Sequence, residues 1–317
     1  MTDTLHPEIE PIETGLLPVG SDTLIYWEQS GCEAGRPALY LHGGPGSSLG
    51  SGRYRRLFDP ARYRIIGIDQ RGCGRSLPLV SSATVSQNTT ASLIADIEAV
   101  RAHLGIDAWI VSGVSWGVTL ALAYAQAHPE RVAGMVLGAI TTTSRDEVDW
   151  ITGSVGRIFP EAFERFEREA NRHQGERIVE AYARRLAGED RADRIAAARS
   201  WNEWESTHIQ LDPHFTPAGT RFDEAAALGF ATLVTHYWAH DGFLRDGAAI
   251  LARMNSIAAI PAVLIHGRRD IGSPSVTAHR LHRLWPASRL EILPDEGHGG
   301  PVMMAAMRRA LDDFATP

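Results

Sequence analysis

The sequence is short of everything that would anchor it in a bilayer or staple it covalently. Its 317 residues contain only two cysteines, Cys32 and Cys73. That is too few for a disulfide framework, and although one bridge could form, two separate reduced thiols are the expectation for a cytoplasmic chain. No apolar run approaches the roughly 20 residues needed to span a bilayer. The segment from Met1 to Gly20 is acidic and carries prolines, without the basic-then-apolar order of a secretory signal. Positive charge is also scarce: 31 basic against 38 acidic residues give a net charge of −7, with the arginines scattered. This argues against a nucleic-acid partner. There is no internal repeat, no low-complexity linker and no H-E-x-x-H, so no metal is expected; His236 and His240 share a helical face without the rest of a site.

What is present is an alternation of short apolar runs with helical patterns. Leu24–Trp27, Ala38–Leu41, Arg64–Ile68, Trp109–Val111, Met135–Leu137, Ala262–His266 and Leu290–Leu293 read as strands. Several are continuously apolar, as strands covered on both faces are. Thr89–Leu104 and Thr119–Ala127 carry apolar residues at helical spacing. Strand–helix–strand alternation implies an α/β fold around a mostly parallel sheet flanked by helices. From residue 144 to 251 the strand pattern disappears and Arg/Glu/Ala-rich helical segments replace it. The economical division is a core of residues 1–143 and 252–317 with an inserted helical cap, 144–251.

The chemistry concentrates where strands end. Gly113-Val114-Ser115-Trp116-Gly117 follows the apolar run ending in Val111 and precedes a helix. In that context G-x-S-x-G is a sharp turn that holds a serine Oγ at the carboxyl edge of the sheet, with the Trp116 N–H able to face a developing oxyanion. A serine hydroxyl needs a base, and the base needs an orienting carboxylate. In chain order the candidates are Asp270, ending "AVLIHGRRD", and His298, in "PDEGHGG". Asp295 and Glu296 compete for the acid role, while His279 and His282 lie on a helical stretch. His42-Gly43-Gly44-Pro45-Gly46 follows another strand and can supply the second oxyanion donor, Gly44 in preference to Gly43. Asp69 and Arg71, in "DQRGCGRS", read as braces of a neighbouring loop, and Cys73 has no histidine placed in sequence to activate it. A serine at the elbow excludes dehalogenase and epoxide-hydrolase chemistry, which need an aspartate there.

With these residues in hand, the chain resembles the proline iminopeptidases, serine exopeptidases of the α/β-hydrolase fold. The likeness is densest in "LHGGPGSS", "DQRGCGRS" and the elbow with the helix after it. The resemblance implies the triad Ser115, Asp270 and His298, no cofactor, and a cap whose residues hold the substrate's free N-terminus. Glu205, in Trp201-Asn202-Glu203-Trp204-Glu205, matches the family's amine-binding glutamate, and Trp238 keeps an aromatic of the substrate pocket. Four positions depart: Val234 stands where a second glutamate is expected, Thr141 where an aromatic is, and Ile151 and Thr152 in place of an aromatic pair. The expected activity is therefore hydrolysis after an N-terminal proline or small residue through an acyl-enzyme. An amidase or esterase acting on a small non-peptide or N-blocked substrate is the alternative, and an inactive hydrolase-fold binding protein the lesser one.

Overall fold

The structure is a computed structural model and describes residues 5–20, 22–208 and 223–315. Eight strands form one sheet: β1 (Glu13–Val19), β2 (Thr23–Gly31), β3 (Arg36–Leu41), β4 (Tyr63–Ile68), β5 (Trp109–Val114), β6 (Val132–Gly138), β7 (Ala262–Gly267) and β8 (Ser288–Leu293). Their spatial order is β1-β2-β4-β3-β5-β6-β7-β8. β1 and β2 run antiparallel at one end, and every pairing from β4 to β8 is parallel. β7 is buried at all six positions and β5 at its first five.

Successive residues of the central strands feed opposite faces, the two-residue period of a pleated strand. Leu39, Leu41, Ile66, Ile68 and Val111 join one apolar cluster, which includes helices α1 (Thr90–His103) and α2 (Trp116–Ala127). Ala38, Ile65 and Ile110 join a second, packed on the last helix of the chain. α1 begins where the Thr89 hydroxyl accepts the Ser92 N–H, filling one of the donors a helix start leaves open.

Among the described residues, five α-helices lie between β6 and β7: α3 (Arg145–Thr152), α4 (Pro160–Glu169), α5 (Ile178–Leu186), α6 (Arg191–His208) and α7 (Glu224–Ala239). They share an apolar cluster of their own, centred on Phe166, Tyr182, Trp201 and Trp204. Phe166 stacks on Tyr182 at 4.8 Å and on Trp204 at 5.0 Å between ring centroids. α7 also reaches the sheet's cluster through Leu233 and Tyr237, and the Tyr237 ring lies 4.7 Å from that of Trp116. After β7 come α8 (Val276–Leu284), β8 and α9 (Pro301–Ala315).

Two differences from the sequence reading have plain causes. β1 went unrecognised because it is an edge strand, half-exposed and holding Pro18, which an edge tolerates and a central strand does not. The helical pattern over residues 177–205, unbroken by any strand signal, divides into α5 and α6 around Ala187–Asp190.

Candidate active site

Ser115 sits between β5 and α2 with φ 57° and ψ −124°, a conformation that L-residues avoid. The surroundings over-determine it. Its N–H donates to the Gly138 carbonyl at 3.1 Å, and its own carbonyl accepts the Val118 N–H at 2.8 Å. The side chain therefore stands out at the carboxyl edge of the sheet. There His298 Nε2 lies 2.9 Å from Ser115 Oγ, and His298 Nδ1 lies 2.7 Å from Asp270 Oδ2. With Nδ1–H donating to the carboxylate, Nε2 is left to accept the serine proton.

Asp270 follows β7 and its side chain is 1% exposed, whereas that of His298 is 32% exposed. Its other oxygen accepts the Ser273 N–H at 2.9 Å. Burial alone would raise this carboxyl, but the charge and hydrogen bond of His298, with His266 and Ser273, hold it below the ordinary value. The competing acids are engaged elsewhere. Asp295 pairs with Arg269 and is 83% exposed, and Glu296 accepts the Val302 N–H near the start of α9.

Gly43 and Gly44 both line the cavity above Ser115. A Cβ on Gly43 would lie 3.3 Å from Ser115 Cβ, so this residue abuts the nucleophile. Gly44 has φ 114°, and a Cβ there would lie 2.6 Å from the Ser47 backbone nitrogen. The turn is tied to the elbow through Gln70, whose N–H donates to His42 Nε2 at 3.1 Å and whose side-chain amide donates to the His42 carbonyl at 2.9 Å. The Gln70 side-chain oxygen in turn accepts Trp116 Nε1–H at 2.9 Å. In "DQRG", then, Gln70 makes the link to the site. Asp69 braces the adjoining loops, accepting from Leu49 N and pairing with Arg75, while Arg71 forks onto Asp96 of α1. Cys73 does have a histidine neighbour, His42 at 3.9 Å, a proximity invisible at 31 residues' separation. Its thiol is buried and donates to the Gln70 carbonyl, and burial pushes its pKa far up, so it is no nucleophile.

The cavity holds about 410 Å³. Glu205, Trp238, Thr141 and Ile151 line it together with Ser115 and His298. Val234 and Thr152 do not. Val234 is fully buried in the cluster of α3–α7, and Thr152 turns its hydroxyl to the Val148 carbonyl at 2.7 Å. Position 234, where the resemblance implies a second glutamate, is thus apolar in its surroundings.

Among the cavity residues that escaped the sequence reading are Glu147, His208 and Phe230. Glu147 closes a capping box with Ser144 at the start of α3, and its carboxylate also accepts Thr141 and Thr142 hydroxyls. The Ser-x-x-Glu spacing carries that signal. His208 lies three residues beyond Glu205, one helical turn away. Among the described residues, no group of three or more His, Cys, Asp or Glu could hold a metal ion, and no helix is long and apolar enough to cross a membrane.

This arrangement can be set beside known proteins. The family profile of the alpha/beta hydrolase fold matches residues 37–301. A probable proline iminopeptidase of Streptomyces coelicolor is 44% identical, covering 98% of both chains. The proline iminopeptidase of Neisseria gonorrhoeae is 41% identical over 96% of this chain and 97% of its own. Among solved structures, the proline iminopeptidase of Mycobacterium smegmatis superposes with a TM-score of 0.66 at 19% identity, covering 96% of this chain and 99% of that one. VinJ superposes with a TM-score of 0.68 at 18% identity, over 96% and 99%; at such identities these two speak for the fold alone. The sequence relatives reach further, and by them the chain belongs to the proline iminopeptidase family within the alpha/beta hydrolases.

Proposed function

We propose that the protein is a prolyl aminopeptidase that works through an acyl-enzyme, with Ser115 as nucleophile, His298 as base and Asp270 as its orienting acid. As Ser115 Oγ bonds to the scissile carbonyl carbon, its proton passes to His298 Nε2. The carbonyl oxygen becomes an oxyanion facing the Trp116 N–H and one from the Gly43–Gly44 turn. His298 then protonates the leaving amine, the C–N bond breaks, and the acyl-enzyme remains. Water, deprotonated by His298, attacks the ester carbon; the bond to Ser115 Oγ breaks, His298 returns the proton to that oxygen, and the free acid leaves. The sequence contains no lysine, so a lysine cannot be the base.

The observation that carries the exopeptidase reading is the presence of Glu205 in the same cavity as the Ser115–His298 pair. A substrate ammonium drawn out of water needs a countercharge, or its desolvation opposes binding. Helices α3–α7 act in this reading as the cap that holds that end of the substrate. The two unbridged cysteines suit a cytoplasmic protein.

A second reading, an amidase or esterase of the same mechanism, draws on Thr141 and Ile151, which give the cavity aliphatic and hydroxyl surface instead of aromatic planes. Prolyl-, alanyl- and N-acetylprolyl-arylamides compared with short acyl esters separate the two, with Ser115→Ala as the blank. Turnover of the free-amine arylamides and refusal of the acetylated one support the aminopeptidase. Failure on every free-amine arylamide alongside good ester turnover overturns it.

A further inference from the structure

We infer that His208 is a positioning residue that aims the Glu205 carboxylate at the substrate's amine, an inference that rests on the aminopeptidase reading above. Glu205 is clamped from both sides by its own helix. Trp201 Nε1–H donates to one carboxylate oxygen at 3.2 Å, and His208 Nε2 lies 3.2 Å from the other. These partners sit at i−4 and i+3, the neighbours a helix brings onto one face. A glutamate has three rotatable side-chain bonds, and fixing them before substrate arrives removes an ordering cost from binding.

The other imidazole nitrogen explains why a histidine is needed there. His208 is 5% exposed, and its Nδ1 is buried with no hydrogen-bond partner among the described residues. A proton on Nδ1 would have no acceptor among the described residues, so Nε2 is the nitrogen that carries the hydrogen toward Glu205. A leucine or phenylalanine could fill the same space and leave no polar atom stranded. The stranded Nδ1 is a cost that the Nε2 contact offsets.

The ring is seated by the loop that carries the triad's acid. A Cβ on Gly272 would lie 3.1 Å from His208 Nδ1, so the absence of a side chain at 272 makes room for the imidazole. Gly272 is two residues past Asp270, in a turn closed by the Ser273 N–H on the Asp270 carboxylate. One loop thus holds both the acid behind His298 and the wall behind the amine anchor, setting the distance between the two ends of the substrate.

The test compares wild type, His208→Leu and His208→Gln on a prolyl-arylamide and on an uncharged acyl ester. Loss of a hydrogen bond to a charged group predicts that His208→Leu raises KM for the arylamide about tenfold with kcat nearly unchanged. Ester turnover and the rate of Ser115 labelling by a fluorophosphonate stay at the wild-type level. Gln places an amide N–H where Nε2 was, and brings KM back to within about threefold of wild type. The inference is overturned if KM of His208→Leu is unchanged, if arylamide and ester fall together, or if Gln rescues nothing. Should His208→Leu fail to fold, Gly272→Ala, which pushes the ring off its seat, must show the same selective rise in KM. A wild type inert toward all free-amine arylamides removes the aminopeptidase reading and this inference with it, an outcome distinct from an active wild type with an indifferent His208.

Discussion

Gly117 occupies the side-chain space of Gly113, the other glycine that flanks the nucleophile: a Cβ on Gly113 would lie 2.5 Å from the Gly117 carbonyl oxygen. A Cβ on Gly117 would lie 2.2 Å from the carbonyl oxygen of Leu41, at the end of β3. Both obstacles are backbone, which cannot step aside as a flexible side chain can. Gly117→Ala should therefore cost several kcal/mol, on the order of 3–5 by the scale of severe core substitutions. Thermal unfolding and the yield of folded protein measure it. A variant that melts within a degree of wild type would show that the strand-to-helix approach is looser than described.

The strain at Ser115 yields a sharper comparison. Ser115→Ala and Ser115→Gly both remove the nucleophile and should lower kcat by about 10⁴–10⁶. Only glycine adopts φ 57°, ψ −124° without side-chain strain. Relief of about 1–3 kcal/mol of strain outweighs the roughly 0.4–1 kcal/mol that glycine's freer unfolded chain costs. Ser115→Gly should unfold at higher denaturant than Ser115→Ala. Equal midpoints would mean the elbow stores no strain.

The order of strands and helices was legible because apolar runs and helical spacing are local properties of the chain. The chemistry at the strand ends was legible for the same reason: the elbow, "LHGGPG" and the two late loops each announce a turn after a strand. The rest depends on contacts across the chain. The edge strand β1 carries no continuous apolar run, since one side faces water. Gln70 links His42 to Trp116 only once β3, β4 and β5 are adjacent, which no local pattern states. His208 reads in sequence as one more polar residue at a helix end, and only the seat against Gly272 gives it a purpose. Val234 shows the same limit: its departure from the glutamate the resemblance implies does not say where the side chain sits, and it is packed inside the helical cluster.

That packing predicts that restoring the family's acid would not restore its function. Val234 is fully buried, in one cluster with Trp201 and Val148. A carboxylate introduced there would sit inside that apolar cluster, and an uncompensated buried charge costs about 3–5 kcal/mol. Val234→Glu should lower the unfolding midpoint accordingly and leave KM for a prolyl-arylamide no better than wild type. Tighter binding at undiminished stability would show that position 234 can reach the cavity after all.

Acid should loosen the fold earlier than its carboxylates require, because several histidines are buried uncharged. Burial lowers the pKa of His42, His236 and His266 despite partners that push the other way. Two of them also accept a backbone N–H, His42 Nε2 from Gln70 and His266 Nδ1 from Ile140, a bond that protonation would break. Each takes its proton more readily unfolded than folded. As pH falls below about 6.5, the ordinary histidine value, the unfolded chain binds more protons and stability declines; above that pH their contribution is constant. The depressed Asp270 carboxyl adds its own loss only below about pH 4, where unfolded aspartate titrates. Urea midpoints at pH 7.5, 6.5 and 5.5 should therefore drop between the last two. His236→Gln, whose amide can still donate to the Asn88 carbonyl that now lies 2.9 Å from Nε2, should shallow that drop. A midpoint flat from pH 7.5 to 5.5 would mean that the buried imidazoles bind protons as easily folded as unfolded.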